Sequence, residues 1–340
     1  MRRATTWWRP PRDTVSRGLA RHGMPPTLFG FVRRVSAIDQ AWVALLACAL
    51  FALTTAPLEM QRRILNAALV DRDARLVVAL AAVYASIVVT QGLVKLLLNV
   101  YAGWIGEKAV RALRLAASRL AGAIPSPDAR VSGVEISMII AEPEAIGGFV
   151  GIAVSELVLQ AGILASVFGY MFFVQPSLAL VCFAIFTPQF VFVPLMQAAI
   201  NRRVQSRIVV LREASVGVLD GARMRAERRQ RARFDEIFEL NLGVVKLRFS
   251  MKFLMNFTHN LGKVLVLCIG GWYIVEGRTD VGVVVAFVSG LESVRDPWGD
   301  LVNWYQEMML ASAKYRTFAV AMQRFAGAAA VPAAPATGVV

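Results

Sequence analysis

The sequence predicts an all-α membrane protein with six transmembrane helices and long helical extensions on the cytoplasmic side. Hydrophobic residues make up 57% of the 340-residue chain and charged residues only 18%, which excludes an ordinary soluble domain. The run from Ser177 to Ile200 contains no charged side chain over 24 residues, enough for a helix to cross a hydrocarbon core of about 30 Å. Arginine-rich segments separate the apolar runs, as they do in the loops of membrane proteins.

Residues 1–35 are predicted to form a basic tail and an elbow helix. The first 36 residues carry eight Arg and one Asp. From Thr27 to Val35 apolar residues stand beside Arg33 and Arg34, a pattern that favours an amphipathic helix on the inner membrane surface. For residues 1–24 a disordered basic tail is the other interpretation.

The first two spans are predicted from uncharged runs. Ala41 to Leu58 is the first, which ends around Pro57 and Glu59 and is followed by a loop to Arg75. Leu76 to Val94 is the second, and its helical pattern of apolar residues continues past Trp104 to Leu120. The second helix should therefore extend well beyond the membrane.

The third and fourth spans are predicted to form an antiparallel hairpin. A polar interruption from Ile124 to Glu144 precedes the third span, which runs to Val174. The turn Gln175–Pro176 leaves room only for a tight connection before the fourth span begins at Ser177.

A basic excursion separates the fourth span from the fifth. Between Arg202 and Lys252 there are thirteen Lys or Arg, six acids and no Pro, with apolar residues at helical spacing. Both spans should therefore continue outward as helices. The fifth span begins near Phe253 and ends at Val275, and the sixth begins at Val281 after a short loop.

The distribution of basic residues predicts the topology. The proposed inner segments hold 26 Lys or Arg and the outer loops hold five. By the positive-inside rule both termini are cytoplasmic, with a bacterial inner membrane as the expected location. The same rule accounts for the formal net charge of +14 without nucleic acid. The domain prediction is a tail and elbow over 1–35, the membrane domain over 36–325 and a flexible Ala/Pro tail over 326–340.

Polar side chains inside the spans predict a substrate cavity. An ionised group that faces lipid costs at least about 2.5 kcal/mol, so such faces should turn inward. The alternatives are interhelical hydrogen bonding and snorkelling near the interface. The polar faces of the second, fifth and sixth spans contain Gln91, Lys95, Asn99, Asn256, His259, Asn260, Lys263 and Glu292.

The lysines in these spans bear on the class of substrate. Lys95 and Lys263 are the only lysines within the predicted spans. If both face one water-filled pathway, their charge favours an anionic or amphipathic acidic substrate. The competing interpretation is that Lys263 pairs with Glu292 and only holds the helices together.

Six spans joined by two long inner helical loops resemble the transmembrane domain of ATP-binding-cassette (ABC) exporters, over about residues 35–325. The sequence GVEISMIIAEPE from Gly133 to Glu144, followed by Phe149, is similar to the first coupling-helix region of that family. The run from Val281 to Leu291, followed by Pro297, resembles the sixth span and its exit helix.

The resemblance implies a dimer whose coupling helices dock on nucleotide-binding domains. Val134 to Ala141 would be the first coupling helix and Glu213 to Arg223 the second, in a loop shorter than is usual for the family. The coupling residues that the resemblance implies are Gly133, Glu135, Ile139, Ile140, Glu142, Glu144, Glu213 and Asp220.

The sequence contains no motif for ATP hydrolysis. A phosphate loop needs the pattern GxxxxGK[ST], and the only Gly-Lys pair, Gly262–Lys263, is followed by Val264. No metalloprotease or nucleophile motif occurs either. We therefore expect a non-enzymatic permease subunit that binds no cofactor itself, with ATP and Mg²⁺ on a partner subunit.

Three functions are compatible with these patterns. The leading one is the membrane subunit of an ABC transporter, working with an ATP-binding subunit and a second membrane subunit in a homo- or heterodimer. A proton-driven peptide or solute carrier on the same membrane fold is the alternative. A non-transporting regulatory remnant is the third. The short second loop favours both of these over the first.

Overall fold

The computed structural model describes residues 14–122, 133–219 and 224–330, and every regular element within these ranges is helical. A π-helical turn, Ala67–Asp71, follows the third helix. In chain order the helices are α1 (Thr14–His22), α2 (Leu28–Thr54), α3 (Ala56–Asn66), α4 (Ala74–Gly122), α5 (Gly133–Ile152), α6 (Ser155–Val174), α7 (Pro176–Phe186), α8 (Gln189–Leu219), α9 (Met224–Val275) and α10 (Val281–Ala330).

Five segments of the described residues are long and apolar enough to cross a membrane, in agreement with an integral membrane protein. The predicted sixth span, α10, is 50 residues long but is not among the five. Its first twenty residues include Glu292, Arg295, Asp296 and Asp300, which lower its apolar character. The five segments are Leu28–Asp71, Ala74–Gly122, Glu142–Val174, Pro176–Leu211 and Gln230–Val275.

The chain divides into two compact units. The first consists of Met1–Ala68, Arg72–Val167 and Ser293–Val340. The second consists of Leu69–Asp71 and Phe168–Glu292. The two units are described separately below.

The core of the first unit lies among α2, α4, α5 and the second half of α10. Phe31, Ile105, Phe149 and Tyr315 are at most 2% exposed. The Tyr315 hydroxyl donates a hydrogen bond to the Pro25 carbonyl at 2.7 Å. Burial raises the pKa of Tyr315 above its ordinary value, against the opposing charge of the Arg34 guanidinium, so the hydroxyl stays protonated and remains a donor.

The predicted elbow is a helix that ends at a kink. Thr27 caps α2 by accepting a hydrogen bond from the Gly30 amide at 3.1 Å. Ser36 has non-helical angles, φ −146° and ψ 29°, and its hydroxyl donates to the Val32 carbonyl at 3.0 Å. Such back-bonding by serine bends helices. The kink therefore separates the short helix before Ser36 from the apolar helix after it.

The prediction of a loop after the first span is wrong. A second helix, α3, starts at Ala56 and continues through the π-helical turn to Asp71. Pro57, expected to end the span, lies in the first turn of α3, where a proline has no hydrogen bond to lose.

Two glycines let α5 approach α4 closely. A Cβ at Gly147 would lie 2.8 Å from the Gly106 carbonyl oxygen, and one at Gly151 would lie 2.4 Å from the Ala102 carbonyl oxygen. No side chain larger than hydrogen fits at either position without moving a backbone. Gly147 and Gly151 form a GxxxG pattern, and this pattern serves close packing of two helices within the chain.

The third predicted span is interrupted between α5 and α6, at Ala153 and Val154. The Val150 carbonyl accepts a hydrogen bond from Gln40 Nε2 at 2.7 Å. The Ala153 carbonyl accepts one from Trp304 Nε1 at 3.2 Å. Side chains from α2 and α10 thus donate to carbonyls that would accept backbone amides in a regular helix. Insertion of a side chain into the backbone hydrogen bonds is a known cause of helix breaks.

The second unit contains the turn of the predicted hairpin between the third and fourth spans, together with the end of α6 from Phe168. Gln175 separates α6 from α7. The Phe168 ring packs edge-on against those of Phe183 and Phe186, with centroids 5.9 and 5.8 Å apart. The fourth span is broken at Thr187–Pro188, because a proline there provides no amide for the helical ladder.

Helices α8 and α9 form the long antiparallel pair that the basic excursion predicted. Arg203 Nη1 donates to the Gly243 carbonyl at 3.0 Å, and Gln230 Nε2 donates to the Ala214 carbonyl at 2.9 Å. The same register reaches Phe186 in α7, whose ring lies edge-on to His259 with centroids 6.1 Å apart. Helix α9 ends at Val275 and α10 begins at Val281, both as predicted.

Candidate functional site: polar clusters in the membrane spans

One polar cluster joins α9 to the start of α10 in the second unit. The Glu292 carboxylate accepts a hydrogen bond from Lys263 Nζ at 2.5 Å. Its other oxygen lies 2.8 Å from His259 Nε2. Three of the predicted cavity residues therefore meet in one group, which we call the α9–α10 triad.

Apolar neighbours surround the buried end of the triad. His259 is only 2% exposed, and its ring packs against Phe186. Gly262, in the turn between His259 and Lys263, faces Leu291 and Phe186. A low-polarity surrounding strengthens hydrogen bonds and ion pairs and increases the cost of breaking them.

The charge of the triad depends on histidine protonation. With neutral His259, the Lys263 ammonium and the Glu292 carboxylate balance each other. When His259 is protonated the group carries one net positive charge, because a single carboxylate then faces two cations. The triad can therefore exchange a proton or attract an anion.

Two other predicted residues of α9 lie within one turn of the triad along the helix. Asn256 is partly buried, one turn before His259, and Asn260 is exposed on the surface of the chain.

The predicted residues of the second span show a different arrangement, in the first unit. Gln91 Nε2 donates to the Leu53 carbonyl at 2.8 Å, so this side chain makes the interhelical hydrogen bond that was the alternative to a cavity wall. Lys95 and Asn99 are exposed on α4.

A second polar cluster in the first unit was missed from the sequence. Gln160, 7% exposed, donates through Nε2 to Glu156 at 2.7 Å and to Asp300 at 3.3 Å. The Lys95 ammonium acts electrostatically on Asp300, and Glu156 acts on Glu307. We call these five residues the α6–α10 cluster. The signal for it was present, because Glu156 and Gln160 are spaced i, i+4 within an otherwise apolar run.

The two clusters change the electrostatic argument about the substrate. Lys263 has Glu292 as its ion-pair partner, and Lys95 lies within electrostatic range of Asp300. The prediction of an anionic substrate assumed that Glu292 neutralises at most one of the two lysine charges. Each has a carboxylate nearby, so the charge of the lysines alone does not specify the substrate.

The predicted coupling residues lie mostly beyond what the structure describes. The backbone of α5 includes Gly133, Glu135, Ile139 and Ile140, and that of α8 includes Glu213, but their side chains fall outside the described part, and Asp220 lies outside it altogether. The predicted first coupling segment is thus continuous with α5. Arg114 Nη2 lies 3.4 Å from Glu144 in an exposed pair, and Lys314 acts electrostatically on Glu142.

A groove of about 500 Å³ lies along the α8–α9 pair. It combines two acids, two bases and small or apolar residues, and sequence reasoning did not predict it. At the edge of the groove the Arg203 guanidinium packs against Gly243, which has no side chain, and donates to its carbonyl. The lining residues are Arg203, Glu236, Glu239, Leu240, Gly243, Lys246, Leu247 and Ser250.

No protein-family model and no curated protein matches the chain. Within the described ranges no group of three or more His, Cys, Asp or Glu side chains could hold a metal ion. The long helices and the two polar clusters are therefore the features of the chain that bear on its function.

Proposed function

We propose that the chain is the membrane-spanning subunit of an ABC-type transporter, which moves a substrate by alternating access while a separate subunit hydrolyses ATP. The observation that carries this proposal is the length of the helices. Helices α4 and α9 contain 49 and 52 residues. At the helical rise each is about 75 Å long, more than twice the thickness of the hydrocarbon core.

Long helices of this kind suit a transporter driven from outside the membrane. The α8–α9 pair keeps one antiparallel register from the membrane span outward, as the bonds of Arg203 and Gln230 indicate. A paired helical extension can transmit a displacement at its tip to the polar residues inside the span. The connections at the other ends of the spans, at Gln175 and 276–280, are short.

In this proposal α10 supplies the sixth span. Its charged residues argue against crossing lipid unaided, but neighbouring helices provide partners for two of them. Glu292 is bonded to Lys263, and Asp300 is bonded to Gln160. With these carboxylates compensated, α10 can cross the membrane inside a bundle, and both termini are then on the cytoplasmic side.

The proposed assembly is a dimer of membrane subunits in a bacterial inner membrane, bound to an ATP-binding subunit. In ABC exporters the extension after the fourth span reaches the opposite subunit. The α7–α9 region forms its own compact unit, which supports such a role for it.

The proposal is tested by reconstituting the chain with candidate ATP-binding subunits and measuring ATP hydrolysis and substrate flux. The variant Ile139→Asp/Ile140→Asp should abolish stimulation of hydrolysis while the membrane domain stays folded. A docking helix presents apolar side chains to a groove, and burial of each is worth about 1.5–3 kcal/mol. Unchanged coupling in this variant would remove the coupling role of the segment.

The α9–α10 triad favours the proton-driven carrier as the second candidate. A buried histidine bonded to a carboxylate inside a span is the arrangement of a proton relay. The two functions differ in their energy source. Uptake into vesicles driven by an imposed pH gradient, without any ATP-binding subunit, would support the carrier. Transport that requires ATP and survives His259→Gln would exclude it.

A further inference from the structure

The region from α1 to the start of the first span presents an uncompensated basic surface. Arg17 and Arg21 are exposed on α1, and Arg33 and Arg34 are exposed on α2 before the kink. None of these four arginines makes an ion pair with any residue in the described ranges. We call the four side chains the elbow arginines.

The fold brings the two pairs of arginines onto one surface. The Arg34 guanidinium lies beside Gly18 of α1, 3.9 Å from the position that a Cβ would take there. Arg17 and Arg21 flank Gly18 along the same helix. Helix α1 is held against α4, because Arg119 Nη1 donates to the buried Ser16 hydroxyl at 2.8 Å.

The only acid between residues 14 and 58 already has hydrogen-bond partners. Asp39 is the only Asp or Glu between residues 14 and 58. It accepts hydrogen bonds from the Tyr101 hydroxyl at 2.8 Å and from Lys108 Nζ at 2.7 Å. Among the described residues from 14 to 58, no acid therefore remains to neutralise the positive charge of the elbow arginines.

Exposed apolar side chains adjoin the elbow arginines. Phe29, on the elbow helix, is 49% exposed. Directly after the kink, Ile38 is 76% exposed and Trp42 57% exposed at the start of the apolar span. Side chains exposed at this point of a span face acyl chains. The arginines just before the kink consequently lie at the level of the lipid headgroups.

We propose that the elbow arginines bind the headgroups of anionic phospholipids in the adjoining leaflet. Arginine presents a planar set of donors that matches phosphate oxygens. Polybasic segments next to a span attract anionic lipids by about 1 kcal/mol for each basic residue, which is about fivefold in local enrichment. This interaction requires only that the chain spans a membrane, so it does not rest on the proposed transport function.

The apolar neighbours distinguish a lipid from other phosphates. A nucleic acid or a free phosphate would bind the arginines alone and would make no contact with Phe29 or Ile38. A phospholipid satisfies both, because its phosphate meets the guanidinium groups while its acyl chains cover the apolar side chains. A phospholipid is therefore the occupant that matches both the elbow arginines and the apolar side chains beside them.

The experiment measures lipid enrichment at the elbow directly. The full chain, with Cys48 and Cys268 replaced by Ala and with Phe29→Cys carrying a fluorophore, is placed in nanodiscs of equimolar phosphatidylglycerol and phosphatidylcholine. One lipid at a time carries a nitroxide near the top of its acyl chain. The ratio of quenching by the two lipids reports the local preference.

We expect phosphatidylglycerol to quench more strongly, with a preference that decreases as salt is added. Arg33→Gln/Arg34→Gln should reduce the preference about fivefold for each arginine. The matched control is Arg72→Asn/Arg75→Gln, which removes two exposed arginines after the π-helical turn; asparagine tolerates the positive φ of 53° at position 72. The control should retain the full preference.

Several outcomes would overturn the proposal. They are equal quenching by both lipids, an unchanged preference in the elbow variant, or an equal loss in the control. Loss of the preference with inorganic phosphate, but not with sodium chloride of the same ionic strength, would indicate a soluble phosphate site instead. If Arg33→Gln/Arg34→Gln fails to fold, Arg17→Gln/Arg21→Gln on α1 provides the same test.

Discussion

The Lys263 ammonium lies 2.5 Å from the Glu292 carboxylate and so ties α9 to the start of α10. This pairing is the one that the structural interpretation of Lys263 required. The second oxygen of the Glu292 carboxylate is bonded to His259. A purely structural ion pair between Lys263 and Glu292 would not require this histidine. The geometry therefore leaves two roles to separate, a purely structural pair and a pair that also contacts the substrate.

Exchanging the two charges separates these roles. Lys263→Glu and Glu292→Lys alone should each lower the melting temperature, because each leaves like charges facing one another; the cost is at most about 1.5–3 kcal/mol, the range for hydrogen bonds to charged groups. The double variant Lys263→Glu/Glu292→Lys should recover most of this stability in a thermal assay with size-exclusion readout.

Transport by the double variant then decides the role. Restored stability with normal transport would leave the pair a structural one. Restored stability with lost transport, or with an inverted charge preference among substrates, would place Lys263 in the substrate pathway. A double variant no more stable than the single variants would contradict the pairing itself.

The break between α5 and α6 should depend on Gln40. Its Nε2 donates to the Val150 carbonyl, and Gln40 is 6% exposed. Gln40→Met keeps the length of the side chain but leaves that carbonyl without its donor, which should cost about 1–3 kcal/mol of folding free energy. Gln205→Met, on the exposed surface of α8, is the control and should change the melting temperature little. Equal effects in the two variants would contradict the role of Gln40.

Local sequence signals predicted three boundaries of the helices correctly. Gln175 was predicted as a tight turn, and Val275 and Val281 as a helix end and a helix start, because turn residues act over a few positions. The break at Ala153 could not be predicted in this way. It is set by Gln40, 110 residues from Val150, and by Trp304, 151 residues from Ala153. Donors so distant are found only once the helices are packed.

The candidate site was predicted only in part, because contacts between distant helices also determine it. Helical spacing put His259 and Lys263 on one face of α9, and both contact Glu292. Gln91 also lies on a polar face identified by helical spacing, yet its side-chain amide donates a hydrogen bond to the Leu53 carbonyl. Periodicity indicates which face of a helix is polar, whereas the neighbouring helix decides whether that face lines a cavity.

The close approach of α4 and α5 predicts opposite effects for two glycines in one helix. Gly151→Ala would place a Cβ 2.4 Å from the Ala102 carbonyl oxygen, so the helices must separate, at a cost of about 1–3 kcal/mol. Gly148 has no atom within 4 Å of its Cβ position. Gly148→Ala should therefore stabilise the helix slightly, by up to about 1 kcal/mol. Thermal unfolding of the two variants provides the comparison, and equal melting temperatures would contradict the close contact.

Accessibility of single cysteines tests the membrane topology. Arg278 and Arg231 are both exposed, and they lie at opposite ends of the fifth span and its extension. Gly277 is a poorer site than Arg278, because its φ of +67° would strain a cysteine. With Cys48 and Cys268 replaced by Ala, Arg278→Cys should react with an impermeant thiol reagent in intact cells. Arg231→Cys should react only after lysis.

These outcomes follow from charge and from length. The segment around Arg231 belongs to the basic excursion, which the positive-inside rule keeps in the cytoplasm. From Arg231 to the end of α9 at Val275 there are enough helical residues to span about 65 Å, so the two positions cannot lie on the same face unless α9 fails to cross. Labelling of both positions in intact cells would contradict six spans with cytoplasmic termini. Labelling of Arg231→Cys alone would show that the chain is inserted in the opposite orientation.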